Sequence, residues 1–199
     1  MRMGKGAQTR EKILDAAFRL AARDGLEGLS LSQLAGQLGV SKSGLFAHFR
    51  SKEDLQLETL RAGATRFEEA VVRPAFVEPR GLPRLRRLFD NWVRWSKDPS
   101  LPGGCLLMAA ATEFDDREGP VRDYLVAVER QLLGSLARSA RIAVEEGHFH
   151  RDLDCDQFAF ELNAIVLGFN YTRRLLRDPK AERQSRAAFE RLVRTAATA

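Results

Sequence analysis

Residues 30–49 read SLSQLAGQLGVSKSGLFAHF, and this stretch decides the fold. Ser30 is followed three residues on by Gln33, the spacing of a capping box. Leu31, Leu34, Ala35 and Leu38 then fall at i, i+3, i+4 and i+7, one apolar face of a short helix. Gly39 stops it, as glycine does just past a helix end. Ser41 caps a second short helix whose apolar members are Leu45, Phe46 and Phe49. Two short helices joined by a glycine-containing turn are the pattern of a helix-turn-helix, whose second helix enters the major groove while the first braces it. Ser41, Lys42 and Ser43 stand at the start of the second helix, where free N–H groups and the helix dipole favour phosphate.

Outward from this core the helical spacing continues in both directions. Thr9 is a reasonable cap for a first helix carrying Ile13, Ala17 and Leu20, with Gly25 as its stop. Ser51 caps a long fourth helix through Leu55, Leu60, Ala64 and Phe67. Pro74, Pro79, Gly81 and Pro83 require that helix to end or kink. A fifth helix starts at Pro83 and carries Leu85, Leu88, Phe89, Trp92 and Trp95; residues 98–104 form a loop. A sixth runs from Cys105 to about Phe114, and Gly119-Pro120 separates it from a seventh with Val121, Leu125, Val128, Leu132 and Leu136. Asp156 is the expected cap of an eighth, closed by Pro179, and Phe189, Leu192 and Val193 mark a ninth. No alternating strand pattern interrupts this series, so the spacing predicts an all-α fold of about nine helices.

The eighth helix is apolar nearly all round: Phe158, Phe160, Leu162, Ile165, Val166, Leu167 and Phe169. A helix of that kind is covered on more than one side, either by a second copy of the chain or wholly within its own domain.

Charge is unevenly placed. Residues 1–52 hold nine Lys or Arg against four acids, the whole of the net +5, while the remainder balances at 23 and 23. A polyanion is expected to dock on the first quarter of the chain. No run of 18 apolar residues could span a bilayer, and the stretch Met1–Gly6 is too short and polar for a secretory signal. Cys105 and Cys155 lack a C-x-x-C partner, which suits a reducing compartment. The expectation is a soluble, cytoplasmic protein with no membrane partner.

Residues 9–52, TREKILDAAFRLAARDGLEGLSLSQLAGQLGVSKSGLFAHFRSK, resemble the DNA-binding domain of the TetR (TetR/AcrR) family. The resemblance is carried by Thr9, Ile13, Ala16-Ala17, Gly25, Ser30, Ala35, Gly39-Val40-Ser41, the GLFAHF string and Ser51-Lys52. It implies a helix-turn-helix domain over residues 7–52, with the motif itself at 30–49, and a helical ligand-binding and dimerisation domain over residues 53–199. It implies phosphate roles for Thr9, Ser30, Ser41, Lys42, His48 and Lys52, and groove-facing roles for Ser43, Gly44 and Leu45. Phe46 belongs to the same surface but stands where the family commonly has Tyr, and Gly44 where it often has Thr or Ala.

Past residue 60 the resemblance is weaker, although Gly103–Leu125 is similar to the sixth and seventh helices of one subgroup. It implies a pocket for a small hydrophobic molecule with Phe67, Phe89, Trp92, Trp95, Cys105, Met108 and Phe114 as lining candidates. The last two helices would then form the seam of a homodimer. The function so implied is that of a repressor released from double-stranded operator DNA by its ligand, with no cofactor.

The same sequence admits two rival classes. An enzyme or metal protein could draw on His148, His150, Asp152, Asp154 and Asp156, but alternate spacing in a loop suits capping acids better than ligands. No G-x-S-x-G, H-E-x-x-H, P-loop or dinucleotide fingerprint is present, so catalysis is not expected. A helical scaffold that ignores DNA is disfavoured by the charge asymmetry and the Ser41-Lys42-Ser43 cluster.

Overall fold

The computed structural model describes residues 5–101 and 103–198. Met1–Gly4, which entered the reading of the start of the chain and of its charge, lie outside these, as do Pro102 and Ala199. Among the described residues there are nine α-helices, as the spacing predicts: α1 (Lys5–Asp24), α2 (Leu31–Leu38), α3 (Lys42–Phe46), α4 (Lys52–Phe67), α5 (Leu82–Ser96), α6 (Leu106–Glu113), α7 (Pro120–Glu145), α8 (Cys155–Arg174) and α9 (Ala181–Ala196). Extended pairing among them is limited to an isolated bridge between Phe149 and Ala197.

The chain forms two compact units. One takes in the chain up to Arg66 together with Asp98–Val126; the other takes in Phe67–Lys97 together with the chain from Ala127. In the first unit, Ile13, Ala16, Ala17 and Leu20 of α1 meet Leu29, Leu34, Ala35, Leu45, Phe49 and Leu55 in one core. Each buried leucine there contributes about 1.5–3 kcal/mol relative to exposure. The helix starts one turn earlier than its expected cap: α1 begins at Lys5, so Thr9 stands inside it and is exposed. The loop before α6 runs against the end of α1 so closely that a methyl group on Gly103 would collide with the Ala22 carbonyl oxygen.

The second unit opens with a change of helical winding. The long helix passes at Glu68 into a π turn, Glu68–Val72, followed by a 3-10 turn, Arg73–Val77, with Pro74 in its first turn. The altered winding goes with a side-chain partner for the backbone: the amide of buried Asn91 donates to the Val71 carbonyl at 2.9 Å. Helix α5 buries Leu85, Leu88, Phe89, Trp92, Val93 and Trp95. It is bound to α9 by the stack of Phe89 on Phe189 (4.1 Å, 10°) and by Arg186–Asp90 and Arg86–Glu190 ion pairs, and Lys97, just past its end, pairs with Glu182.

Helix α8 is capped by Asp154 and not by Asp156. One Asp154 oxygen accepts from the N–H groups of Asp156 and Gln157 at 3.0 and 2.9 Å. It ends at Arg174, ahead of Pro179. Phe158, Ala159, Leu162, Val166 and Phe169 are buried, while Phe160, Leu167 and Tyr171 are exposed by 62%, 46% and 57%. The helix therefore has an apolar face against its own unit and another that the protomer leaves uncovered.

Candidate nucleic-acid interface

A five-residue helix has too little hydrogen bonding to persist alone, so α3 depends on what holds it. From beneath, Leu45 is fully buried and Phe49, just past the helix, is 1% exposed. At its start, Ser41 Oγ accepts from the Gly44 N–H at 3.0 Å and lies 2.9 Å from Ser43 Oγ. The preceding α2 is capped by Ser30, whose hydroxyl accepts from the Gln33 N–H at 3.4 Å, and ends at Gly39 in the left-handed conformation. Caps of this kind contribute about 1 kcal/mol each.

What α3 presents outward is polar at its start and apolar at its end. Ser41, Lys42 and Ser43 are exposed, Gly44 and His48 are half-buried, and Phe46 is 49% exposed. A side chain at Gly44 would meet Ser41 Oγ at 3.3 Å and otherwise little. Arg50, which the sequence reading passed over, has a side chain 93% exposed, 3.7 Å from Asp54. Its signal was available: a cation immediately after the second helix.

Two expected contacts are placed differently. Leu45 does not face outward; fully buried in the core of the first unit, it anchors α3 from below. Lys52 is engaged at the surface of its own unit, its ammonium donating to the Glu27 carbonyl at 2.7 Å and lying 3.4 Å from the Glu27 carboxylate. Burial pushes the Glu27 carboxyl up, but hydrogen bonds from Gln56 and Lys52 and the charges of Lys52 and Arg117 outweigh it and hold the group below its ordinary value. Gln56 also donates to the Leu26 carbonyl at 3.0 Å. The turn between α1 and α2 is thus fastened by α4. A second fastening, from Glu113 of α6, gave no sequence signal.

The lining candidates fall in both units. In the second, Phe67 is met edge-on by Trp92 and Trp95, with centroids 5.4 and 6.0 Å away, and Phe89 lies in the α5–α9 stack. The indole N–H groups of both tryptophans are buried without a hydrogen-bond partner. In the first, Cys105 and Phe114 are buried and Met108 half-buried. His148, His150 and Asp152 lie in the α7–α8 connection, Asp154 caps α8 and Asp156 stands in its first turn; among the described residues, no group of three His, Cys, Asp or Glu is placed to hold a metal ion. Nor is any described helix long and apolar enough to cross a membrane.

The helix-turn-helix and the helical body agree with known proteins. Residues 13–59 match the family described as bacterial regulatory proteins, tetR family, and residues 81–189 match the tetracyclin repressor-like C-terminal domain. The chain is 32% identical over 179 residues to the transcriptional regulator TcmR of Streptomyces glaucescens, covering 88% of this chain and 74% of that one. Among solved structures, a TetR-family regulator from Cytophaga hutchinsonii superposes with a TM-score of 0.88 at 17% identity over the whole of both chains. A regulator from Saccharomonospora viridis in complex with choline gives 0.79 at 22% identity, over 97% of this chain and 100% of that one. These two likenesses are of fold. The chain belongs to the TetR family: it is a DNA-binding transcriptional regulator and not an enzyme.

Proposed function

We propose that this regulator is a homodimeric repressor that leaves its operator when a small hydrophobic molecule binds the helical body. The observation that carries the DNA-reading half is the exposed Ser41-Lys42-Ser43 start of α3, held on a buried Leu45–Phe49 footing. Such a start offers hydroxyls, an ammonium and free N–H groups to phosphate while the helix enters the groove. Ser30 and His48 flank it, and Thr9 on α1 is exposed for a further backbone contact.

The ligand-responsive half is supported by the aromatic group of Phe67, Trp92 and Trp95. Buried tryptophan N–H groups normally find an acceptor, and two without one favour a ligand that combines an apolar body with a carbonyl or similar oxygen. Such a ligand releases DNA only if it binds the released form better than the bound one. The structure of the Saccharomonospora viridis regulator with choline is in keeping with a small-molecule site in this fold.

The deciding experiment is binding of the purified protein to labelled duplexes from the DNA upstream of its own gene, at two salt concentrations. A palindromic site is expected, with affinity falling steeply as salt rises because counterions are released. Absence of a preferred duplex would remove the reading.

A further inference from the structure

The backbone N–H groups of Leu26 and Glu27 both point at one carboxylate, that of Glu113 at the end of α6. Leu26 N–H donates to Oε1 at 3.2 Å and Glu27 N–H to Oε2 at 2.8 Å. Successive N–H groups following a left-handed residue make an anion-binding hollow, and Gly25, at φ +85°, supplies that residue. The hollow admits the carboxylate only because Gly25 has no side chain: a methyl there would stand 2.6 Å from Glu113 Oε1. The same turn gives its carbonyls to α4, Leu26 to Gln56 and Glu27 to Lys52. Arg117, four residues past Glu113, lies 3.1 Å from the Glu27 carboxylate. The turn that leads into α2 is therefore held on its N–H side by α6 and on its carbonyl side by α4.

From this geometry we infer that Glu113 is a positioning residue for operator reading: its carboxylate holds the α1–α2 turn, and through it α2 and α3, in the posture that reads bases. The inference rests on the DNA-reading role proposed above. Base readout demands that side chains meet base edges within a fraction of an ångström, whereas attraction to phosphates tolerates a loose head. Loss of the clamp is accordingly felt in specific binding and not in general binding. Among the described residues no other acceptor meets the two N–H donors, and a glutamine cannot replace the carboxylate, since one of its two positions is an NH2 that opposes an N–H.

The test compares wild type, E113Q and E113D on two labelled duplexes: one selected from random sequence by the wild type, and a scrambled duplex of equal length. E118Q, which removes the same charge from an exposed neighbour, is the control. Expected for E113Q is about tenfold weaker binding to the selected duplex, the scale of one charge-assisted hydrogen bond, with unchanged affinity and salt slope on the scrambled one. E113D, which keeps the charge but retracts it, falls between, and E118Q matches wild type. Amide hydrogen exchange at Leu26 and Glu27 speeds up in E113Q while the rest of the chain keeps its protection. Three results overturn the proposal: E113Q selecting as wild type does, both duplexes weakening alike, or selectivity lost with both amides still protected. Should the wild type select no duplex, the DNA-reading role fails by itself. The exchange data then still decide whether Glu113 holds the turn.

Discussion

Lys42 and Lys52 are both cations of the reading head, and their surroundings give them different work. Lys42 projects from the start of α3, while the ammonium of Lys52 is spent on Glu27. K42A is therefore expected to weaken binding on every duplex and to flatten the plot of log affinity against log salt by about 0.9, one phosphate contact. K52A should leave that slope nearly unchanged and instead lower the melting temperature through the loosened turn. A salt titration of the two variants beside wild type checks both. Sequence could not separate these lysines, because the difference lies in a partner 25 residues away. Nor could it separate Leu45 from Phe46: adjacent apolar residues on a one-turn helix are assigned inward or outward only by the core they meet, and here Leu45 meets it while Phe46 does not.

Among elements, the ones legible in sequence were those with local stops. Ser30, Gly39 and Ser41 bound α2 and α3 where their spacing said, since a cap is a contact between residues two or three apart. Where several capping residues crowd together, spacing alone does not choose between them, and Asp154 took α8 in place of Asp156. The π turn of Glu68–Val72 left no sequence mark beyond the prolines that follow it, because it is held by Asn91 from another helix. Elements are also joined by charge. A hydrogen bond from Lys97 draws the Glu182 carboxyl below its ordinary value, with burial opposing and Arg186 assisting. A carboxyl depressed on folding adds stability that is complete above its unfolded value, about 4.3, and is lost as pH falls through the lower folded value. E182Q should accordingly be less stable than wild type near neutrality, by about 0.2–1 kcal/mol for an exposed pair. The two should converge as the solution is made acid, read from urea midpoints across that range.

For the molecule as a whole, the uncovered face of α8 carries the prediction. Phe160, Leu167 and Tyr171 recur at helical spacing on the side away from the buried Leu162 and Val166, and Leu175 continues them beyond the helix end at 67% exposure. A stripe of that kind is costly to leave in water and self-complementary under a two-fold axis. L167E is expected to yield a monomer by light scattering, with its helical circular dichroism intact. It should lose most of its affinity for a palindromic duplex, because two heads about 34 Å apart are no longer joined, while weak single-head binding to any duplex persists. A dimeric L167E would move the seam elsewhere. The sequence showed that the eighth helix was apolar on several sides but not which side faced outward, since that depends on where α9 packs.

The chain has two tryptophans, and both lie against Phe67 with their indole N–H groups unbonded. All of its indole emission thus originates at one spot, so the protein carries an optical gauge of its own. With both indoles buried, the emission maximum should sit toward the blue. Any molecule that reaches this spot and accepts a hydrogen bond from an indole should shift the emission without a dye or label, which makes screening a compound collection a matter of a spectrometer and the unmodified chain.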